Sequence, residues 1–538
     1  MKKSLFVLFI SLLVSCSNKE TVDLIITNAH IYTVNENLET AQSFAVKDGK
    51  FISIGSTNEI LSNYTSKTII DAEGKTIVPG LIDAHCHFYG LGLQQQKVDL
   101  TGTRSFDEVI ERIVAFQKEK NLSYITGRGW DQNDWEVKEF PTKEKLDELY
   151  PTTPIAITRI DGHALLANQA AIDLAEITIN TPETGGFILK KNGKLTGVFI
   201  DSPMDLIEAK IPAYSKQEQI NALLDAQKIC FENGLTTVVD AGLHKETIEL
   251  IDELHRKNLL KIRIDAMVAA TKSNLNYYLQ KGIIKTDKLH VHSFKYYADG
   301  ALGSRGACLK ESYSDAKNHF GALVNSLGNF HLTADRIFKS DYQMNTHAIG
   351  DSANYIVLKK YQELHKESKE RRWRIEHAQV VDLNDFSKFK TIVPSVQPTH
   401  ATSDMYWAED RLGKDRIKGA YAYQELLNQY GKIALGTDFP IEQVNPMHTF
   451  YAAVARKDLN NYPEKGFQKE NALNRVDALR GMTIWAAYAS FEENEKGSIE
   501  VGKKADFVIL DNDLLKIEEA KLPKIKVLQT FVGGEKVY

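Results

Sequence analysis

Short apolar runs recur along the middle of this chain, and several of them end in residues that can bind a divalent metal. The runs are LIDAHCH, VHSFKYYADG, QMNTHAIG, WRIEHAQ and KIALGTDFP, and the potential ligands are His85 with His87, Lys295, His347, His377 and Asp438. In a barrel of parallel strands, the carboxyl ends of all strands meet at one rim. Residues hundreds of positions apart can therefore share one pocket, where imidazole and carboxylate groups suit zinc and similar divalent ions.

Eight strand-like runs are present between the two ends of the chain. Helix-like stretches separate several of them, for example residues 217–233 and 352–366. Strand–helix alternation of this length predicts an α/β fold, a (β/α)8 TIM-type barrel over residues 81–490. The eight predicted strands are LIDAHCH, TTVVDAG, IRIDAMVAA, FKYYADG, MNTHAIG, WRIEHA, TIVPSVQP and IALGTDFP.

The two ends of the mature chain are rich in β-strand patterns. Residues 16–80 and 491–538 alternate apolar residues with turn signals such as Asp48-Gly49 and Gly533-Gly534. Neither end has enough strands for a sandwich of its own, so together they predict one small composite β-sandwich. Residues 90–235 do not alternate cleanly, which indicates a long insertion after the first barrel strand, and we expect this insertion to cover the site.

The first fifteen residues have the pattern of a secretory signal. Lys2 and Lys3 precede an apolar stretch, residues 5–14, that is too short to span a bilayer. The stretch ends in LVSC, which resembles a bacterial lipobox and implies cleavage before Cys16 and a diacylglycerol on its sulfur. We therefore expect an exported lipoprotein, anchored to a membrane and facing the periplasm or the cell exterior. The alternative is an ordinary signal peptide that ends near a cysteine.

Charge and cysteine content exclude two classes of protein. Lys and Arg total 66 against 71 Asp and Glu, a net charge of -5, which gives no reason to expect nucleic-acid binding. Apart from Cys16, three cysteines remain, and an odd number in an exported protein argues against a disulfide framework. The fold must therefore be stabilised by burial of its core. The sequence carries no signal for an oligomeric state.

His85 and His87 are two residues apart on a predicted strand, so both side chains lie on the same face. Two imidazoles on one face can bind a single ion. Cys86 lies between them and points to the other face, where we expect it to pack. For any single histidine, including His347 or His377, the alternative is a buried histidine with satisfied hydrogen bonds.

Seven segments together resemble one known family: PGLIDAHCH, FKYYADGALGSRGA, THAIGD, RIEHAQ, SVQPTHATSDMYWAEDRLG, LGTDFPIEQVNP and GSIEVGKKADFVILD. They resemble the amidohydrolase superfamily, and more narrowly its amidohydrolase-3 branch, which includes N-substituted formamide deformylases. The resemblance covers nearly all of the chain after the signal. It implies a metal-bearing barrel, a composite β-sandwich and hydrolysis of carbon–nitrogen bonds other than ordinary peptide bonds.

The same resemblance implies one or two bound ions, with zinc expected and manganese or iron suited to the same ligands. In the family pattern, one ion is held by His85, His87 and Asp438 and the other by His347 and His377. Lys295 would bridge the ions as a carboxylated lysine, because an ammonium cannot ligate whereas a carbamate carries negative charge and two donor oxygens. The alternative is a one-metal site at which Lys295 stays an ammonium and pairs with Asp299 or Asp438.

The implied reaction is attack of a metal-bound hydroxide on a small-molecule amide, formamide or cyclic amide, with Asp438 passing a proton to the departing amine. A lone Asp after a strand is otherwise often a helix N-cap. A ring-amine deaminase with one metal is a second possibility, but its usual Glu-bearing motif after the fifth strand is replaced here by THAIGD. A third is a non-catalytic, lipid-anchored binding protein, whose signature would be missing ligands.

Six further polar or aromatic residues are predicted to contact the substrate: Trp130, Asp131, His163, Arg305, His400 and Asp404. For Trp130 the alternative is packing within its own loop, and for His163 it is a hydrogen bond within the insertion. Arg305 would hold an anionic group or, alternatively, pin a loop. His290 and His292 are expected to have packing or surface roles.

Overall fold

The computed structural model describes residues 19–183, 185–366, 368 and 370–538. The predicted signal segment and Cys16 lie outside the described residues. Within these ranges, no helix combines the length and the apolar character that crossing a membrane requires. Residues 88–227 form one compact unit, and the described residues before 88 and after 227 form another.

Eight parallel strands form the barrel of the larger unit. Each strand pairs in parallel with the next one along the chain, from the first to the eighth. The predicted (β/α)8 barrel is confirmed, and its strands coincide with the eight predicted runs. They are β1 (Leu81–Cys86), β2 (Leu235–Leu243), β3 (Arg263–Ala269), β4 (Leu289–Tyr297), β5 (Gln343–Ala348), β6 (Arg374–His377), β7 (Val393–Val396) and β8 (Ala434–Leu435).

The barrel closes at its carboxyl end through the backbone that follows the short strand β8. The amide of Asp438 donates to the carbonyl of His85 at 2.8 Å, and the amide of His87 donates to the carbonyl of Phe439 at 2.7 Å. These two hydrogen bonds place the end of β1 beside the segment after β8. His85 and His87 at the first strand and Asp438 after the last strand, all predicted as ligands, are therefore neighbours in space.

Helices follow most of the barrel strands and cover its outer face. Helix Lys245–Arg256 illustrates why they form, because Ile248, Ile251 and Leu254 recur every three residues and are all buried. Helix Lys216–Glu232 begins within residues 88–227 and ends within the larger unit. The other helices of the barrel are Lys245–Arg256, Lys272–Lys281, Leu327–Phe338, Asp351–His365, Pro398–Asp404, Ala408–Arg416, Tyr423–Tyr430, Pro446–Ala455, Arg475–Gly481 and Ile484–Ala489. A 3-10 helix, Phe386–Thr391, stands between β6 and β7.

Strands from both ends of the chain build the predicted sandwich. One sheet has the order Lys50–Gly55, Ser43–Lys47, Leu24–Thr27 and Ile69–Asp71. The other has the order Glu535–Lys536, Val527–Val532, Phe507–Leu510, Thr76–Pro79, His30–Tyr32 and Thr40–Ala41. Phe44 and Phe51 from the N-terminal part pack with Phe507 and Phe531 from the C-terminal part in a single buried core.

The unit of residues 88–227 has a six-stranded sheet and a core of its own. Its hairpin turns at Asn192 and Gly193, whose φ angles of 52° and 75° match the tight turn that two-residue hairpins favour. The strands, in sheet order, are Val98–Asp99, Ile125–Trp130, Ile155–Arg159, Ala164–Ala167, Lys194–Asp201 and Gly186–Lys191. The helices are Phe88–Gln94, Phe106–Lys120, Glu144–Leu149, Gln169–Leu174 and Met204–Glu208.

Candidate active site

The residues predicted as metal ligands meet at the carboxyl end of the barrel. The ring centroid of His377 lies 4.9 Å from that of His85 and 4.4 Å from that of His347. Asp438 Oδ1 lies 3.1 Å from His87 Nε2 and 3.7 Å from His85 Nε2. His85, His377 and Asp438 each offer one potential ligand atom, and these three atoms lie within 4.8 Å of one another. Strands β1, β5 and β6 and the segment after β8 thus contribute to one cluster.

His85, at the end of β1, and His87, just after it, are each held by a partner at Nδ1, so that Nε2 faces the cluster. His85 Nδ1 lies 2.5 Å from Glu376 Oε2, and His87 Nδ1 lies 3.0 Å from the carbonyl oxygen of Ala241. A carboxylate or carbonyl on the far nitrogen is the arrangement that orients a metal-binding imidazole and fixes its tautomer. The surroundings of His85 and His87 therefore fit a pair of metal ligands.

Glu376 is in turn fixed by Arg374, two residues earlier on β6. Arg374 Nε lies 2.7 Å from Glu376 Oε1, and Arg374 Nη2 also donates to the carbonyl of Ala84 and to Ser395 Oγ. Burial alone would raise the pKa of Glu376, but the charge of Arg374 and the contact with His85 lower it to about 2. Glu376 is thus an ionised carboxylate at the bottom of the site.

Two of the cluster residues have an unusual backbone conformation. His377 has φ 74° and Asp438 has φ 64°, in the left-handed region that non-glycine residues rarely adopt. Such conformations persist where the surrounding structure fixes them, and they concentrate at functional sites. Here they occur at the ends of β6 and β8, where the chain turns the two side chains toward the cluster.

The donor atoms of the cluster fit a divalent cation. Within the described ranges, His347 Nε2, His377 Nδ1 and His400 Nε2 are buried and have no hydrogen-bond partner, although buried polar atoms normally have one. Burial lowers the pKa of His85 to about 4 and that of His347 to about 3, so both imidazoles are neutral, which is the ligating form. Neutral imidazoles beside a carboxylate are a donor set that zinc accepts.

Lys295 lies inside the same cluster. Its Nζ atom is 3.0 Å from His85 Nε2 and 5.0 Å from the centroid of the Tyr297 ring. Burial lowers the pKa of Lys295 to about 8. Asp299, one of the carboxylates that could have paired with an ammonium at this position, instead accepts hydrogen bonds from the backbone amides of Ile349, Gly350 and Cys308.

A cavity of about 400 Å³ adjoins the cluster. Its lining combines the cluster residues with aromatic and aliphatic side chains and two further carboxylates. The lining residues are His87, Lys295, Tyr297, Ala301, Leu302, Gly303, His347, Ile349, His377, Gln379, His400, Asp404, Trp407, Asp438, Ile441 and Glu442.

Of the six residues predicted to contact the substrate, the structure places His400 and Asp404 in this lining. His400 Nε2 lies 3.7 Å from Asp438 Oδ2, and Asp404 accepts hydrogen bonds from Gln379 and Tyr421. Arg305 does not line the cavity. Its guanidinium forms two hydrogen bonds with Asp315, at 3.0 and 2.8 Å, which favours the loop-pinning alternative over the binding of an anionic group.

The other three predicted contacts belong to the unit of residues 88–227, where they have local partners. Trp130 is fully buried and its Nε1 donates to the carbonyl of Ile157, so its ring belongs to the core of that unit and the packing alternative is favoured. Asp131 Oδ1 pairs with Arg159 at 2.5 Å. His163 Nδ1 lies 2.8 Å from Asp201 Oδ1, which matches the expected alternative of a hydrogen bond within the insertion.

Comparison with known proteins shows the family. The family model described as "Amidohydrolase family" matches residues 68–538. The chain belongs to the amidohydrolase family. The predicted resemblance to the amidohydrolase-3 branch is thereby confirmed.

Two relatives and one solved structure extend this result. The amidohydrolase is 34% identical to Protein LONG AFTER FAR-RED 3 of Arabidopsis thaliana, over 96% of this chain and 91% of the relative. It is 25% identical to the N-substituted formamide deformylase of Arthrobacter pascens, over 95% and 97% of the two chains. It is similar to an uncharacterized metal-dependent hydrolase of Pyrococcus horikoshii OT3, with a TM-score of 0.76, 27% identity, and coverage of 92% and 99%.

Sequence reasoning about this amidohydrolase missed Glu376 and Arg374. Both lie within the run WRIEHAQ, in which His377 was the single predicted site residue. Arg374 and Glu376 carry opposite charges at alternate positions of an otherwise apolar strand. This pattern could have indicated a buried ion pair, because buried charges are rarely left unpaired. Glu442, Trp407 and Tyr297 were missed as well, and no local pattern distinguished them.

A second buried group of potential ligands, Asp265, His290 and His292, lies on β3 and β4. His292 Nε2 is 3.0 Å from Asp265 Oδ2, and His290 stacks on His292 with centroids 4.0 Å apart. Glu492 Oε1 lies 3.6 Å from His290 Nδ1, and Glu492 also pairs with Lys285 and Lys496. These contacts give both histidines the packing role expected for them in this amidohydrolase.

Proposed function

We propose that this amidohydrolase is a metal-dependent hydrolase of carbon–nitrogen bonds other than peptide bonds, acting on an amide, formamide or cyclic amide. The observation that carries the proposal is the convergence of neutral, buried imidazoles and Asp438 on one cavity, with His347 Nε2 and His377 Nδ1 unpartnered among the described residues. The relative named as a formamide deformylase supports this bond class.

The cluster supports a site for one or two divalent ions, with zinc expected. His85, His87 and Asp438 would hold one ion, and His347 and His377 would hold a second. Lys295 would bridge them if carboxylated, and its burial supports this because the unprotonated amine is the form that can take up carbon dioxide. When bound, such ions polarise a carbonyl group and lower the pKa of water.

Asp438 is the residue placed to move protons. Burial alone would raise its pKa, but the neighbouring imidazoles of His87, His85 and His400 hold the pKa of Asp438 well below its usual range. The carboxylate is therefore ionised at neutral pH and can accept a proton as water adds to the substrate carbonyl. It can then return the proton to the amine as the carbon–nitrogen bond breaks.

His400 stands beside the same carboxylate, with Nε2 3.7 Å from Asp438 Oδ2. Its unpartnered nitrogen lines the cavity and can donate a hydrogen bond to the oxygen on which negative charge develops. Asp438 thus moves the proton, and His400 stabilises the negative charge on the substrate oxygen.

Metal analysis combined with a substrate screen tests the proposal. Purified protein is assayed for zinc, manganese and iron, and then for hydrolysis of N-formyl amines, N-acyl amines, cyclic imides and esters. We expect turnover of an amide-type substrate that is lost on chelation and restored by adding zinc. Equal activity before and after complete removal of metal would show that the proposal is wrong.

We also propose that the mature chain is a lipoprotein that begins at Cys16 and faces the periplasm or the cell exterior. The support comes from the sequence, in which a basic start and a short apolar run precede LVSC.

A further inference from the structure

One wall of the catalytic cavity carries two carboxylates close together. Ser403 Oγ donates to Glu442 Oε1 at 2.7 Å and lies 3.4 Å from Asp404 Oδ1. A single hydroxyl group therefore separates the two acids, and both line the cavity next to the metal-binding cluster.

Neutral groups are the only described partners of these two acids. Asp404 accepts hydrogen bonds from Gln379 and Tyr421, and Glu442 accepts one from Ser403. No lysine or arginine of the described ranges forms an ion pair with either of them. Burial raises the pKa of Asp404 and the charge of Glu442 adds to this rise, while the nearby His400 imidazole and the hydrogen bond from Tyr421 act in the opposite direction.

Arg305 and Arg411 already have partners. Arg305 and Arg411 both pair with Asp315, and Arg411 also donates to the carbonyl of Gly303. Among the residues that line the cavity, Lys295 is the single lysine, and no arginine is present. Because Lys295 belongs to the cluster of expected metal ligands, the described cavity wall offers no separate cation to an anionic substrate group.

The same wall presents aromatic and aliphatic surface. Trp407 lines the cavity and already has the guanidinium of Arg411 5.6 Å from its ring centroid, and Leu302 and Ile441 contribute apolar area. An aromatic ring next to carboxylates is a favourable environment for an ammonium group, because the ring face and the carboxylates both attract positive charge. A cavity of about 400 Å³ is also large enough for a ring-sized substituent.

We propose that Asp404, Glu442 and Trp407 form a cation-accepting subsite that binds an ammonium or amidinium group on the amine part of the substrate. This inference rests on the proposed function, because it names the class of amide that the site hydrolyses. A substrate carboxylate at the same position would lose its hydration next to two acids and would find no positive side chain to pair with. The subsite therefore selects cationic amides over anionic ones.

A matched substrate series tests this selection. Three N-phenethylformamides carry an aminomethyl, a methyl or a carboxylate group at the para position. For the zinc-loaded enzyme, we expect kcat/KM for the cationic compound to exceed that for the anionic compound by at least about tenfold. In Glu442→Gln and Asp404→Asn, the cationic-to-anionic ratio should fall toward one. An unchanged ratio in both variants overturns the subsite.

Glu409→Gln provides the matched control. Glu409 is an exposed acid on helix Ala408–Arg416 and does not line the cavity. The Glu409→Gln variant removes one negative charge, as the two test variants do, at a position a few residues from Asp404 in the sequence. The cationic-to-anionic ratio should remain that of the original enzyme, and an equal fall in this variant would show that a general surface charge, and not the subsite, causes the selection.

Calorimetry separates this inference from the proposed function. Para-xylylenediamine is titrated into the zinc-loaded protein, which requires no turnover. We expect it to bind about tenfold more weakly to Glu442→Gln than to the original protein or to Glu409→Gln. If the diamine binds selectively while no amide, formamide or cyclic amide is hydrolysed, the proposed function fails and the subsite stands. If all three proteins bind it equally, the subsite is wrong even for an active amidohydrolase.

Discussion

The Nδ1 atom of His85 lies 2.5 Å from Oε2 of Glu376, and Arg374 fixes that carboxylate from the other side. All three side chains are fully buried. The ionised carboxylate holds the proton of His85 on Nδ1 and leaves the lone pair of Nε2 directed at the cluster. The metal affinity of the site should therefore depend on a residue that does not itself face the ion.

Glu376→Gln is expected to weaken metal binding by about 10- to 100-fold. The amide can still accept a hydrogen bond from His85, but it no longer supplies the negative charge that makes the imidazole more basic. The measurement is a competition titration with a chromophoric chelator. Glu493→Gln is the control, because Glu493 pairs with Arg372, which precedes the first residue of β6 and lies at the end of the strand opposite His377. Equal metal affinity in both variants would contradict a positioning role for Glu376.

Asp438→Asn is expected to keep the fold but lose most turnover, with kcat reduced by about 100- to 10,000-fold. Asparagine tolerates the left-handed conformation that position 438 adopts, so the backbone can remain unchanged. The amide cannot take up the proton that the carboxylate accepts. Circular dichroism and metal content check the fold and the site. Near-normal kcat with intact structure would exclude Asp438 as the proton carrier.

The barrel and its ligand cluster were predictable because they follow from local patterns. Each barrel strand is a short apolar run, and parallel strands bring their carboxyl ends to one rim whatever the length of the segments between them. His347 and His377 could therefore be placed near His85 from the sequence, before any distance was known. The resemblance to amidohydrolases added the expected division of ligands between two ions.

Tertiary contacts between distant segments were not predictable in the same way. The pairing of Glu376 with His85 joins β6 to β1, and the approach of Glu442 to Asp404 depends on the conformations of two separate segments. Trp130 was open to two interpretations because a Gly-rich loop and a buried strand end have similar composition. The structure shows that its ring is buried in a core and that its Nε1 has a backbone partner.

Asp506→Asn is expected to lower the free energy of unfolding by about 1.5 to 3 kcal/mol, because two charge-assisted hydrogen bonds are weakened. Asp506 precedes sandwich strand Phe507–Leu510 and accepts two hydrogen bonds from Arg263 of β3, at 2.6 and 3.0 Å. Both side chains are buried, so the variant removes the buried counter-charge of the arginine and leaves only the more exposed Asp287, 3.1 Å from Arg263 Nη1. Urea denaturation followed by intrinsic fluorescence measures the loss. Asp511→Asn, at the far end of the same strand, is a suitable comparison.

The same pair has a defined pH dependence. Burial alone would raise the pKa of Asp506, but Arg263 and a backbone amide lower it below its ordinary value. Because the folded-state pKa is depressed, this stabilisation is present above the unfolded-state pKa of about 3.9 and is lost as pH falls toward the folded-state value. The difference in stability between the original protein and Asp506→Asn should therefore shrink below about pH 4. A constant difference down to pH 3 would contradict this linkage.

Cys16→Ser is expected to move the protein from the membrane fraction to the soluble fraction of a bacterial host. Serine has no thiol to accept the diacylglycerol, and no described helix could span a membrane in its place. Acyl chains on one cysteine provide stable anchoring because each buried methylene contributes about 0.8 kcal/mol. Fractionation with blotting measures the distribution, and Ser17→Ala is the matched control because it leaves Cys16 in place. If both variants remain in the membrane fraction, the anchor is not at Cys16, and if the original protein is already soluble, the leader acts as an ordinary signal peptide.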